Sequence, residues 1–178
     1  EGYYVIGVDD LSAGHKEFVH PDVDFIQDDF VSSSVRHKLS MIHPKAIVHL
    51  AAKPRVSYSV EQPIITHDTN VTKTLELIDF VRQSHSCIGT RFIFASSSSV
   101  YGGADTLPTP ETERLNPQSP YALQKMIIED YLRLYAKLYD FFSKILSSSF
   151  ASFITVESID ISTVAEKNSF GVKPKLKV

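Results

Sequence analysis

Tyr121 and Lys125 stand four residues apart in Ser119-Pro-Tyr-Ala-Leu-Gln-Lys125. In a helical segment the two side chains share a face, with Cβ atoms about 5–6 Å apart. Pro120 suits a first helical turn, and Ser119 or Gln118 can cap it. The chemistry open to such a pair is general-base catalysis. A free phenol ionises near pH 10, so a tyrosine base working near neutrality needs a fall of about three pKa units, ~4 kcal/mol. A lysine charge about 6 Å away supplies on the order of 2–3 kcal/mol at an effective dielectric near 20. Lysine alone falls short, and a second positive charge has to supply the rest. Upstream lies Ser96-Ser-Ser-Ser-Val-Tyr-Gly102, from which a hydroxyl would hold the oxygen that Tyr121 deprotonates.

The elements that must position these groups can be read from periodicity. Arg91-Phe-Ile-Phe-Ala95 is a short apolar strand ending at the serines, and the helix opened by Ser119 carries Met126, Ile127, Leu134 and Leu138 toward a core. Earlier in the chain, Glu1 to Asp10 and Val23 to Gln27 read as strands. Val31 to Ile42 reads as a short helix stopped near Pro44. Residues 45–52 form a strand apolar almost throughout, as a strand buried in a parallel sheet requires. Residues 63–81 form an amphipathic helix with Val71, Leu75, Ile78 and Val81 on one side. Strand, helix and strand alternating at this pitch imply right-handed crossovers and an α/β, doubly wound parallel sheet.

Bulk composition narrows the function classes. The 178 residues suit one domain with a real core, and 43% hydrophobic with 22% charged residues is ordinary globular usage. A net charge of −3 gives no basic footprint for nucleic acid. The single cysteine, Cys87, excludes an internal disulfide and suits a reducing, cytoplasmic setting. No apolar run approaches the 18 or so residues of a membrane span, no signal peptide is visible, and the histidines form no metal-ligand grouping.

Taken together, the serine-ended strand, Val100-Tyr101-Gly102 and Asn116-Pro-Gln-Ser-Pro-Tyr-Ala-Leu-Gln-Lys125 resemble the extended short-chain dehydrogenase/reductases. Among these the chain looks most like the NAD-dependent nucleotide-sugar 4-epimerases of the UDP-galactose 4-epimerase type, over residues 3–140. The resemblance implies a Rossmann-like fold, NAD as cofactor and a UDP-sugar as substrate. It implies that Ser97, Tyr121 and Lys125 are catalytic, with Ser96 and Ser98 as neighbouring registers for the serine. Tyr121 would take the C4 hydroxyl proton while the C4 hydride passes to NAD. The 4-keto sugar would then turn over and receive the hydride on its other face. Ser97 would orient the oxygen, and Lys125 would hold the nicotinamide ribose, the oxidised ring being the second positive charge. Dehydrating relatives typically carry Asp-Glu after the catalytic Thr, and decarboxylating ones usually a glutamate, where this chain has Ser98-Ser99. Epimerisation is therefore favoured over those alternatives.

Cofactor contacts carry over at the strand ends. Asp9, with Asp10 beside it, matches the acidic residue that holds the adenosine ribose, and Asp29-Phe30 the pair that holds adenine. Leu50-Ala51-Ala52 matches the small-residue turn under the cofactor, Lys53 a phosphate contact, and Asn70 a helix asparagine near the active site. Ligands of such sheets sit at the carboxyl ends of the strands. The acidic residue normally follows a glycine loop by about 20 residues, and no room for that loop precedes Asp9. The expected organisation is thus a partial NAD-binding domain over residues 1–140, incomplete for lack of the first βα unit and a substrate domain. Residues 141–178 form a divergent segment. In the resembled family the helices carrying Asn70 and Tyr121 pair across a homodimer. From a different functional class comes the second expectation, an inactive Rossmann remnant serving as a binding or regulatory module; the 178 residues alone are expected to bind NAD poorly and not to turn over.

Overall fold

Among the described residues, 2–103, 109–110 and 112–146 of a computed structural model, the chain forms five parallel strands and five α-helices. Strands β1 (Ile6–Asp9) and β2 (Asp24–Gln27) pair with each other, Ile6 opposite Asp24. Strands β3 (Ala46–His49), β4 (Arg91–Ala95) and β5 (Ser143–Leu146) form a second parallel sheet with β4 in the middle. Among the described residues no ladder joins the two sheets. β4 has a partner on each side, and Phe92, Ile93 and Phe94 are fully buried.

Between the strands lie α1 (Ser33–Ile42), α2 (Val56–Glu61), α3 (Pro63–His67), α4 (Thr74–Gln83) and α5 (Pro120–Tyr139). The expected helix over 63–81 is continuous but carries a π-helical segment, Asp68–Lys73, joining α3 to α4. Such insertions concentrate at functional sites. α5 starts as the sequence predicts, with Ser119 accepting from the Ala122 amide and Pro120 in the first turn. It packs against α2, α3, α4 and β5. The core gathers Val71, Leu77, Ile78 and Val81 from the long helix, Phe92 and Phe94 from β4, and Ile128 and Leu132 from α5. No helix among the described residues is long and apolar enough to cross a membrane.

Several expectations need correction. The strand expected over 45–52 is ordered as a strand only from Ala46 to His49, and Val48 and Leu50 are exposed. β3 pairs only with β4 among the described residues, so one edge lacks the neighbour that full burial requires. Leu134 and Leu138 are exposed, and Ile128 and Leu132, four apart on the opposite face, take the core positions instead. Leu75 is half-buried where Leu77 is buried. The short helix α2 was not anticipated, since Val-Ser-Tyr-Ser-Val-Glu carries neither a strong cap nor a clear apolar stripe. The sheet also continues past residue 140 through β5, with Phe141 buried in the core; residues 147–178 lie outside the described residues.

A backbone contact fixes the turn that follows β4. Gly102 has φ +64, and a Cβ there would lie 1.8 Å from the Asn116 carbonyl oxygen. Gly89 has a similar φ of +77 but nothing within 4 Å. Gly89→Ala is therefore expected to destabilise by only about 1 kcal/mol, from left-handed backbone alone. Gly102→Ala adds the collision with rigid backbone and is expected to cost about 3 kcal/mol or more, read as a shift in the urea midpoint.

Candidate active site

Two consecutive residues after the buried part of β4 fasten to α5, and the third turns toward it. Ala95 offers its carbonyl to the Lys125 ammonium at 2.9 Å. Ser96 donates its hydroxyl to Glu129. Ser97 faces the Tyr121 phenol closely enough to oppose part of its upward pKa shift, and its oxygen accepts from the Ser99 hydroxyl at 2.8 Å. The turn is shaped locally: Ser97 caps the 3-10 turn Ser98–Tyr101, and Gly102 in the left-handed region closes it. On the helix side, the Ser59 hydroxyl of α2 receives the Tyr121 amide at 3.1 Å, tying the first turn of α5 in place. The structure thus brings Ser97, Tyr121 and Lys125 together, with Ser97 the serine that reaches the phenol while Ser96 turns to Glu129.

The electrostatics differ from the simple lysine-lowers-tyrosine picture. Burial pushes the Tyr121 phenol above its usual value, and the nearby Ser97 hydroxyl only partly opposes this. The Lys125 Nζ lies 5.9 Å from the centre of the tyrosine ring and 4.7 Å from that of Phe94. Its own burial lowers it to about 8, with the Glu129 charge pulling the other way. The ammonium is partly spent on its own desolvation and on the Ala95 carbonyl. Tyr121 needs a further positive charge to act as a base near neutrality.

A second group of polar residues lines the carboxyl ends of β1, β2 and β3. Asp9 and Asp10 accept from the Leu11 and Ser12 amides at 2.7 and 2.8 Å, shaping a turn in which Leu11 has φ 57. The Ser12 hydroxyl and amide hold Asp10 below the usual carboxylate range. Lys53 reaches Ser12 Oγ at 2.6 Å, bridging the end of β3 to the end of β1. Lys73, on the π-helical segment, reaches Asp29 at 2.7 Å and Asp68 at 3.8 Å. Leu50 and Ala51 are exposed beside them, with Ala52 half-buried. The mixture is suited to a dinucleotide: carboxylates for ribose hydroxyls and an adenine amine, lysines for phosphates, and a small apolar turn under the rings. Two residues of that expected set face elsewhere. Phe30 turns its ring to the core, 5.0 Å from His49. Asn70, buried, accepts from the Lys53 amide at 2.7 Å and donates to the Lys53 carbonyl at 3.1 Å and to Gln124 at 2.8 Å. Its amide shapes the Lys53 turn instead of offering a free polar atom to the cleft.

The sequence reading missed Lys73, Gln124, Glu129 and His49. No motif marks them; what singles out Gln124, Glu129 and His49 is burial with a polar partner, and what singles out Lys73 is its pairing with Asp29. Gln124 joins Asn70 to the Thr66 hydroxyl at 3.0 Å. His49 is 4% exposed, bonded to Thr74 Oγ1 at 2.9 Å and surrounded by Phe30, Phe92 and Phe94. Among the described residues no group of His, Cys, Asp or Glu is placed to hold a metal ion.

This geometry has close counterparts. Residues 3–158 match the family model described as GDP-mannose 4,6 dehydratase. The chain is 37% identical to the UDP-glucose 4-epimerase of Mycolicibacterium smegmatis over 147 residues, covering 79% of this chain and 46% of that protein. A crystal structure of UDP-glucose 4-epimerase from Brucella ovis in complex with NAD superposes with a TM-score of 0.71 at 33% identity, covering 82% of this chain and 44% of that one. The UDP-N-acetylglucosamine 4-epimerase of Methanobrevibacter ruminantium M1, solved with UDP-N-acetylmuramic acid, gives a TM-score of 0.70 at 30% identity over 81% of this chain and 46% of that one. The chain therefore spans less than half the length of these relatives.

His49 yields a stability prediction. Burial holds its imidazole down to about 3, from an ordinary 6.5. The unfolded chain therefore binds a proton that the folded one refuses between those values. Stability is full above pH 6.5 and declines as pH falls toward 3, by on the order of 1 kcal/mol per pH unit. Urea titrations at pH 7, 6 and 5 are expected to show this slope in the wild type and its loss in His49→Phe.

Proposed function

The chain belongs to the GDP-mannose 4,6 dehydratase family, and from that premise we propose that its site serves NAD-dependent epimerisation at C4 of a UDP-sugar. The observation that carries this reading is the Tyr121 phenol facing Ser97 at the exit of β4, with Lys125 one helical turn along α5 and the acid-and-lysine cleft at the carboxyl ends of β1, β2 and β3. When bound, NAD supplies the acceptor and donor for the C4 hydride. Asp9 and Asp10 would hold the adenosine ribose, Asp29 the adenine amine, and Lys53 a phosphate, with Leu50, Ala51 and Ala52 beneath them. Lys125 would meet the nicotinamide ribose, and the charge of the oxidised ring would add to its field at Tyr121. Ser97 would hold the sugar O4 while Tyr121 removes, and later returns, its proton.

Epimerisation fits better than dehydration because the positions after Ser97 hold no carboxylate. Ser98 and Ser99 stand there, and the buried carboxylate of Glu129 is already bonded by Ser96 and Arg133. The cofactor-side unit is assigned to residues 1–140 together with β5. Exposed Ile64 and Ile65 on α3 and Leu123 on α5 support pairing of the Asn70 and Tyr121 helices with a second copy.

The natural polypeptide carrying these residues is expected to interconvert UDP-glucose with UDP-galactose, or their N-acetyl forms, when assayed with NAD by chromatography. Tyr121→Phe is expected to lower kcat by on the order of 10³-fold or more, with NAD affinity changed less than about threefold. Tight NAD binding with no conversion of any of these sugars would favour the binding-module reading instead.

A further inference from the structure

Glu129 is a buried carboxylate for which the reaction has no direct use. It is 5% exposed, and an ionised group so placed needs hydrogen-bonding partners to persist. It has two: the Ser96 hydroxyl, and Arg133 at 2.6 Å. Arg133 lies one turn further along α5 and also binds Asp130 at 2.9 Å, so its charge is shared. One turn in the other direction lies Lys125. Consecutive residues of the β4 exit therefore meet consecutive turns of one helix, Ala95 at Lys125 and Ser96 at Glu129, immediately before Ser97 reaches Tyr121.

A neutral acceptor would suffice to hold Ser96; the charge is met directly by Arg133 and is also felt, at longer range, by Lys125 one turn back on the same helix. The groups facing Lys125 among the described residues are Phe94 and the Ala95 carbonyl from β4, His49 from β3, and Tyr121 and Glu129 from α5. His49 stays neutral above about pH 3, and Tyr121 is raised by burial. Glu129 supplies the anion acting on the ammonium. We propose that Glu129 is a positioning residue of this site, tethering the serine turn to α5 through Ser96 and keeping Lys125 protonated where it must act. The proposal rests on the assignment of Ser97, Tyr121 and Lys125 as the reacting and cofactor-facing groups.

Two variants separate the tether from the charge. Glu129→Gln keeps an acceptor of the same shape and removes the charge; Ser96→Ala removes the tether and keeps the charge. The Lys125 midpoint, followed by the pH dependence of its side-chain carbon and nitrogen NMR shifts, is expected to fall by about one pH unit in Glu129→Gln and to stay in place in Ser96→Ala. Ser96→Ala is expected to lower kcat about tenfold with KM unchanged, because Ser97 loses its anchorage rather than its hydroxyl. An unmoved Lys125 midpoint in Glu129→Gln overturns the charge role, and a wild-type kcat in Ser96→Ala overturns the tether. The NMR arm needs no turnover, so a protein inactive toward every sugar tried would count against the proposed reaction and leave the Glu129 result to stand or fall alone.

Discussion

A lysine ammonium buried at the end of a parallel strand must find a partner, and the way Lys125 finds one organises this molecule. Its side chain is inserted between α5 and the exit of β4, where the carbonyl of Ala95, the last residue of that strand, accepts from Nζ. That bond sets the depth at which α5 crosses the sheet. With Lys125 fixed, helix geometry places Glu129 one turn on and Tyr121 one turn back, and the next two residues of the chain, Ser96 and Ser97, fall opposite them. The packing below is apolar and unremarkable in kind, Ile128 and Leu132 against Phe92 and Phe94. The polar row at the strand ends gives the arrangement its register.

The same burial limits what the pair can do unaided. Desolvation disfavours charge on Lys125 and on the Tyr121 phenolate alike, so bringing the two together in a protein interior does not by itself make a base. This agrees with the Coulomb arithmetic, in which one lysine about 6 Å away falls short of the shift that neutrality demands. On the proposed reading, a phenol held protonated until a second cation arrives would be a base only when that cation is present, which would couple proton removal to occupancy of the neighbouring cleft.

What was legible in the sequence was local. β4 has the ends that its five residues predict, and α5 begins at its cap because Ser119 and Pro120 act through their own backbone geometry. The serine turn and the Tyr-x-x-x-Lys face were readable for the same reason. Burial was not, because it depends on neighbours. The run at 45–52 is apolar enough for a central strand, yet Val48 and Leu50 stay exposed on an edge. Leu134 and Leu138 fit a helical stripe but not the stripe that meets β4. The π-helical segment was equally hidden: Asp-Thr-Asn-Val-Thr-Lys has no local mark of an inserted residue, and what the segment contributes depends on distant partners, as in the bonds of Asn70 to Lys53 and Gln124. Lys73, Glu129 and His49 act through partners roughly 25 to 45 residues away in sequence, and no spacing rule reaches that far.

The cleft at the other strand ends obeys a different physics from the buried row. Its lysines are partly exposed, and their pairs with Asp29 and Ser12 belong to the class worth about 0–1 kcal/mol. Such contacts hold the ends of β1, β2 and β3 in register while remaining easy to exchange for ligand atoms of the same polarity. A phosphate can take Lys53 from a serine hydroxyl, since a charged acceptor outcompetes a neutral one. Asp29 can keep Lys73 on one oxygen and still accept elsewhere, because an ionised carboxylate has about four lone-pair sites. The buried row, where each unmet polar atom is expensive, is left to fix the geometry; the exposed cleft, where partners swap at little cost, is left to receive what binds.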